Sequence, residues 1–241
     1  MKQILSIVAL GLAVGALAHE YIKAPAPANE ITMPTPEWRE KIASLAPDQP
    51  TAKPEAPRRI LLFSLSTGFK HKVAPHVADA VKILGEKTGA YEVVESRDVE
   101  IFSPDNLEGF DAVILNNTCP ISEKRDLFFD VLHDPVRAAE LERSLLDFVV
   151  AGKGLVALHG AITFQNNSPA VSEMLGGSFH FHPPRQTVTL DLVEPKHPLL
   201  AAFNGKGYIH SDEPYLFKNA YTQKNFRPLL EMDVGKLDEK T

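Results

Sequence analysis

Residues 59–65 read RILLFSL. The unbroken apolar run from Ile60 to Phe63 leaves neither face of an extended segment polar, the pattern of a strand buried on both sides. Such a strand lies inside a sheet covered by helices, so the chain downstream is expected to alternate between helix and strand. Val73, Val77, Ala80, Val81 and Leu84 recur at helical spacing, with Gly85 or Gly89 to end the helix. YEVVES (91–96) reads as a second strand and FDAVILNN (110–117) as a third. LERSLLDFVVAGKG (141–154) then reads as a helix closing in a glycine-bearing turn, and GLVALHG (154–160) as a fourth strand. Parallel neighbours need crossover connections, so this order predicts an open α/β fold, a mostly parallel sheet with helices on both faces. QTVTLDLV (186–193) alternates strictly and predicts a half-exposed strand in an antiparallel extension.

Upstream of this block the composition shifts. Residues 19–57 hold eight prolines and few large apolar side chains, as in a linker or surface-hugging arm. Within it TPEWREKIASL has Thr35 as N-cap, Pro36 at the first helical position, and Trp38, Ile42 and Leu45 at spacing i, i+4, i+7, predicting a short helix docked on the main domain. The first residues place Lys2 before an apolar run from Ile4 to Leu17, followed by Ala16-Leu17-Ala18 as a small-x-small cleavage site. Residues 1–18 therefore read as a signal peptide, with cleavage near Ala18 and a secreted or periplasmic product. At about 14 residues the run is short of the ~20 that a membrane-spanning helix needs. The expected organisation is 1–18 signal peptide, 19–57 proline-rich arm and 58–241 folded domain. Cys119 is the only cysteine, which excludes an internal disulfide. A formal net charge of −6 without a Lys/Arg cluster argues against nucleic acid or an anionic membrane surface as partner.

Ligands of open α/β sheets bind outside the carboxyl ends of the strands. His71 follows the first strand in the loop STGFKH; Asn116, Asn117, Thr118 and Cys119 follow the third; His159 ends the fourth. All are expected on one rim. Beyond a short helix around 168–175 comes GGSFHFHPP (176–184), where two glycines and two prolines confine His180 and His182. Residues i and i+2 of an extended segment point the same way, so the two imidazoles should face one side. Such a pair can ligate a divalent metal or hydrogen-bond sugar hydroxyls. HSDEPY (210–215) adds Asp212, Glu213 and Tyr215. His76, His133, His197 and His210 read as ordinary polar or surface residues.

GFKH (68–71), GKGLVALHGA (152–161), GGSFHFHPP (176–184), KHPLL (196–200) and SDEPY (211–215), in this order, resemble the ThuA-like, or trehalose-utilisation, family across about residues 60–227. The resemblance implies a flavodoxin-like three-layer sandwich of the class I glutamine amidotransferase-like superfamily. In amidotransferases of that superfamily a nucleophilic Cys occupies a strand-to-helix elbow; here the corresponding turn is ALHGA, with His159 at that place. An imidazole cannot replace a thiolate in acyl transfer, so amidotransferase activity does not follow from the fold. The resemblance also implies a substrate among trehalose-type disaccharides and their 3-keto glycosides. ThuA-like domains usually continue past the DE-x-Y region into further strands, so the end at Thr241 implies a shortened member or an incomplete sequence.

The first functional expectation is therefore an exported enzyme acting on a sugar or keto-sugar glycoside. Its candidate catalytic residues are His159, His180, Asp212 and Glu213; its candidate substrate-binding residues are His71, Asn116, Asn117 and Tyr215. His180 and His182 are the candidate ligands if a divalent metal takes part. The alternative is a non-catalytic carbohydrate-binding protein in which Phe181 or Tyr215 packs on a sugar ring. Cysteine-dependent hydrolysis through Cys119 and a neighbouring histidine is a third. The sequence fixes no oligomeric state.

Overall fold

The structure, a computed structural model, describes residues 20–23 and 33–238. The signal peptide expected over 1–18 and the PAPANE segment of the arm lie outside the described residues. The elements run β1 (Tyr21–Lys23), α1 (Pro36–Leu45), β2 (Arg58–Phe63), α2 (Ala74–Thr88), β3 (Tyr91–Ser96), α3 (Pro104–Leu107), β4 (Ala112–Asn116), α4 (Leu127–Leu132), α5 (Pro135–Val150), β5 (Gly154–Leu158), α6 (Pro169–Leu175), β6 (Ser178–Phe181), β7 (Gln186–Leu192), β8 (Gly207–Asp212), β9 (Leu216–Lys218) and β10 (Leu230–Met232). No helix among the described residues is long and apolar enough to cross a membrane.

The central sheet has the order β3-β2-β4-β5 and every pairing in it is parallel. This is the flavodoxin-like order, in which the chain leaves β2 toward β3 and returns on the other side at β4, opening a crevice at their carboxyl ends. Alternation along β2 and β4 separates the two faces. Leu61, Phe63, Val113 and Leu115 join the core built with Leu141, Leu145 and Phe148 of α5. The intervening Ile60 and Leu62 are also buried, and α2 packs against β3 and β4. The result is three layers, as expected. RILLFSL is apolar on both faces because each face has its own helical cover.

The antiparallel extension forms separate sheets. β7 pairs antiparallel with β8 and β10, β1 joins β8 in parallel, and β6 and β9 form a two-stranded ribbon. The helix expected from Leu141 starts earlier: Asp134 accepts from the amides of Val136 and Arg137, and Pro135 occupies the first turn. The arm helix α1 forms where expected, with Thr35 accepting from Trp38 N at 3.2 Å. It docks on α2 through an Arg39–Asp79 ion pair at 2.7 Å, an edge contact of Trp38 with His76, and Lys87, whose ammonium donates to the carbonyls of Ala43 and Ala46 at the end of α1.

Candidate active site

Three chain segments meet at the carboxyl rim. The loop after β2 and the loop after β4 are laced together by backbone. Ser66 Oγ donates to Asn117 O at 2.7 Å, and the amides of Thr67 and Gly68 both donate to Cys119 O. A Cβ on Gly68 would collide with the Pro120 carbonyl, so only glycine permits this approach. Asp130 of α4 braces the junction from outside, accepting from Thr67 Oγ1 at 2.6 Å and Ile121 N at 2.8 Å. His71 is thereby carried to Cys119, its Nδ1 lying 3.6 Å from Sγ.

The third segment is the turn after β5. His159 leaves the strand with φ 48°, a left-handed conformation that a non-glycine residue adopts only under constraint, and a 3-10 turn of residues 159–163 follows. The elbow expected at ALHGA is therefore present, with an imidazole at its apex. The next residue, Gly160, is the floor. Its carbonyl accepts from Cys119 Sγ at 3.3 Å and Thr163 Oγ1 at 2.7 Å, and a Cβ there would strike the His71 ring and lie 2.7 Å from the Cys119 sulfur.

Over this floor the rings form a pile. His71 meets His159 edge to face at 4.5 Å between centroids; His159 stacks on Tyr215 at 5.0 Å; Tyr215 stacks in turn on His182 at 5.5 Å. Phe179 closes the side with its edge against Tyr215 at 4.9 Å. The short turn between β8 and β9 supplies Tyr215 together with the carboxylates. Glu213 reaches His182 Nε2 at 3.8 Å, and Asp212 faces His210 at 3.7 Å and Arg185 at 3.9 Å.

Desolvation sets the electrostatics. Burial holds the His71 imidazole below its ordinary value, His159 adds to the shift, and Glu213 and Asp212 oppose it. His159 keeps an edge open, but the rings on it displace water and lower its pKa; Asp212 and Glu213 oppose the shift and His182 reinforces it. Burial raises the Tyr215 phenol, with Glu213 next in effect, and burial raises the Cys119 thiol. At neutral pH the site therefore holds two neutral imidazoles, a phenol and a thiol. Tyr215 Oη lies 3.3 Å from His159 Nε2, within hydrogen-bond reach. With the thiol proton on the Gly160 carbonyl, His71 turns Nδ1–H toward sulfur and keeps the Nε2 lone pair for a reactant.

Of the sequence candidates, His71, His159, His182, Tyr215 and Glu213 gather here, and Asp212 lies at the edge. Others stand elsewhere. Asn116 and Asn117 are each 1% exposed. Asn116 donates to Ser64 Oγ and to Ala74 O in the first turn of α2, and Asn117 Nδ2 donates to Asn116 Oδ1. They hold the loops from beneath, with Asn117 Oδ1 buried and without a hydrogen-bond partner among the described residues. His180 is also outside. Phe179 pairs with Phe217 and Phe181 with Leu216, so His180 is the extra residue of a β-bulge, and its ring packs on Phe181. The bulge breaks the alternation that was to bring His180 beside His182. Among the described residues no three His, Cys, Asp or Glu side chains converge as a metal-binding group. Tyr215 is stacked against two imidazoles, His159 and His182.

A flavodoxin-like α/β protein with a histidine-rich rim is the class that this geometry defines. The family described as ThuA, trehalose utilisation, matches residues 59–239, and the chain belongs to it. Two solved structures are similar to the chain, the first of them sharing its fold. A thua-like protein of Bacteroides uniformis is 17% identical, with TM-score 0.54, over 75% of this chain and 70% of that one. Another from Parabacteroides merdae is 18% identical, with TM-score 0.49, over 73% and 68%. No curated protein matches the chain.

Proposed function

We propose that this protein acts on a sugar or 3-keto glycoside of the trehalose type by acid and base catalysis at the ring pile. The observation that carries the reading is the pairing of two neutral imidazoles, His71 and His159, with a phenol hydrogen-bonded to one of them. A neutral imidazole is a base, and a phenol that resists ionisation donates a hydrogen bond to an oxygen gaining charge. In a 3-keto glycoside the hydrogen on C2 is acidified by the carbonyl. His71 Nε2 takes that proton while the C–H electron pair becomes the C2=C3 bond, and Tyr215 turns its hydroxyl from His159 to the C3 oxygen. Collapse of the enolate expels the C1 substituent, whose oxygen takes back the proton from His71; water added to the unsaturated product completes a hydrolysis. His182 and Glu213 hold Tyr215 and bind hydroxyls. Residues 1–18 read as an export signal, so the substrate is met outside the cytoplasm, and the mature protein is expected in the extracellular or periplasmic fraction.

The test is mass change in disaccharides and their 3-keto forms incubated with wild type, His71→Ala and His159→Ala. Product with wild type, reduced about 10²-fold or more in either variant, supports the reading. Binding without product assigns a carbohydrate-binding role instead. Neither binding nor product refutes both.

A further inference from the structure

Arg125 is a charged side chain that borders the rim through Phe179. It lies in the loop between β4 and α4, is partly buried, and holds φ 53° with its amide donating to Ile121 O at 2.8 Å. Its guanidinium sits over the Phe179 ring at 5.6 Å, and Phe179 in turn edges Tyr215. Its charge reaches the site, favouring the ionised forms of both Cys119 and Tyr215. The neighbouring carboxylates are otherwise engaged: Asp126 accepts from Phe129 N and Gln165, Asp130 from Thr67 and Ile121, Glu213 faces His182, and Asp212 faces His210 and Arg185. Among the described residues none pairs with Arg125.

An unpaired guanidinium, flanked by an aromatic face and partly removed from water, is a planar fork of donors that suits an anionic oxygen pair. Resting on the carbohydrate reading above, we propose that Arg125 is the specificity residue for an acidic substituent on the sugar, so that the preferred ligand carries a carboxylate or phosphate beside its hydroxyls. His71 and His159, held neutral by burial, add donors and acceptors there without competing for the anion. Asp212 and Glu213 would repel a second acidic group on their side, which confines the charged substituent to the Arg125 side of the pile.

NMR titration of the full chain with glucose, glucuronate and glucose 6-phosphate tests this, in wild type, Arg125→Gln and Arg125→Lys. Loss of a charge-assisted hydrogen bond corresponds to about tenfold or more in affinity. Wild type should bind at least one acidic sugar about tenfold tighter than glucose, Arg125→Gln should bind all three alike at the wild-type affinity for glucose, and Arg125→Lys should keep part of the preference. Which acidic sugar gains tells carboxylate from phosphate. Unchanged glucose affinity in the variants shows that they are folded. Equal binding of all three by wild type overturns the Arg125 assignment and leaves the carbohydrate reading standing, as does an acidic preference that survives Arg125→Gln. Failure of all three to bind wild type overturns the Arg125 assignment; the carbohydrate reading falls only if the disaccharides and their 3-keto forms also neither bind nor react.

Discussion

Gly160 is the residue on which the site is levelled. Its missing side chain lets the His71 ring and the Cys119 sulfur rest on the turn after β5, and its carbonyl takes the thiol proton. Gly160→Ala should therefore displace His71 and lower kcat/KM by about 10- to 100-fold, since misplacement of a reacting group by about 1 Å costs that much; intact far-UV circular dichroism with lost turnover is the expected pair of results. Cys119 behaves differently. It is 5% exposed and burial raises its pKa, so iodoacetamide at pH 7 should label it slowly while the chain is folded and rapidly in denaturant. Cys119→Ser keeps a donor to Gly160 and should keep most activity; abolished turnover in that variant would revive cysteine-dependent hydrolysis. These relations were only half legible in the sequence. His71, Cys119 and His159 could be placed on one rim from strand ends, but that a glycine would bring a thiol and an imidazole within 3.6 Å depends on backbone approach, which no local pattern records. Arg125 gave no signal, being a surface-type residue in an unpatterned loop.

At the scale of elements, the β6–β9 ribbon shows where pattern reading fails. GGSFHFHPP has the alternation of a strand, and a regular strand would have set His180 and His182 side by side. The bulge at His180 shifts the register, and only Phe179 and His182 reach Tyr215. Accordingly His182→Ala should lower turnover by about tenfold through loss of Tyr215 positioning, whereas His180→Ala should stay within about twofold. Equal losses in both would mean that the two imidazoles act as a pair after all. Long elements were easier. The apolar run of β2 and the helical period of α2 are set by burial over many residues, and both appeared where expected. Termini were not: Asp134 and Pro135 start α5 six residues before Leu141, because capping and the first exposed turn carry no apolar period. The α1 docking contact can be weighed separately. Lys87→Met removes two donors to the end of α1 and should cost about 1 kcal/mol locally, seen as faster amide exchange in α1 with little change in the core.

For the whole molecule, the depressed imidazoles couple stability to pH. His71 and His159 are lowered from 6.5 in the folded chain, so the unfolded chain binds their protons first as pH falls. Their contribution is fully present above 6.5 and is lost as pH drops from there through the folded values. The Tm should therefore decline on acidification below 6.5, less steeply in His71→Phe, and the acid limb of kcat/KM should lie below the ordinary imidazole range. The fold class was legible at this scale because alternating buried strands and amphipathic helices admit few topologies. The chemistry of the rim was not, because neutrality of an imidazole is a property of what packs on it: two rings and a floor drawn from three distant segments.

The central claim is that His71 and His159 stand as neutral bases at physiological pH. Nitrogen-15 NMR of the imidazoles across a pH titration, with the His71 and His159 signals assigned by substitution among the nine histidines, measures it directly. Both should titrate below 6.5, with Nε2 of His159 showing an acceptor that Tyr215→Phe removes. Titration of either at or above 6.5, or a His159 signal indifferent to Tyr215→Phe, would contradict the account.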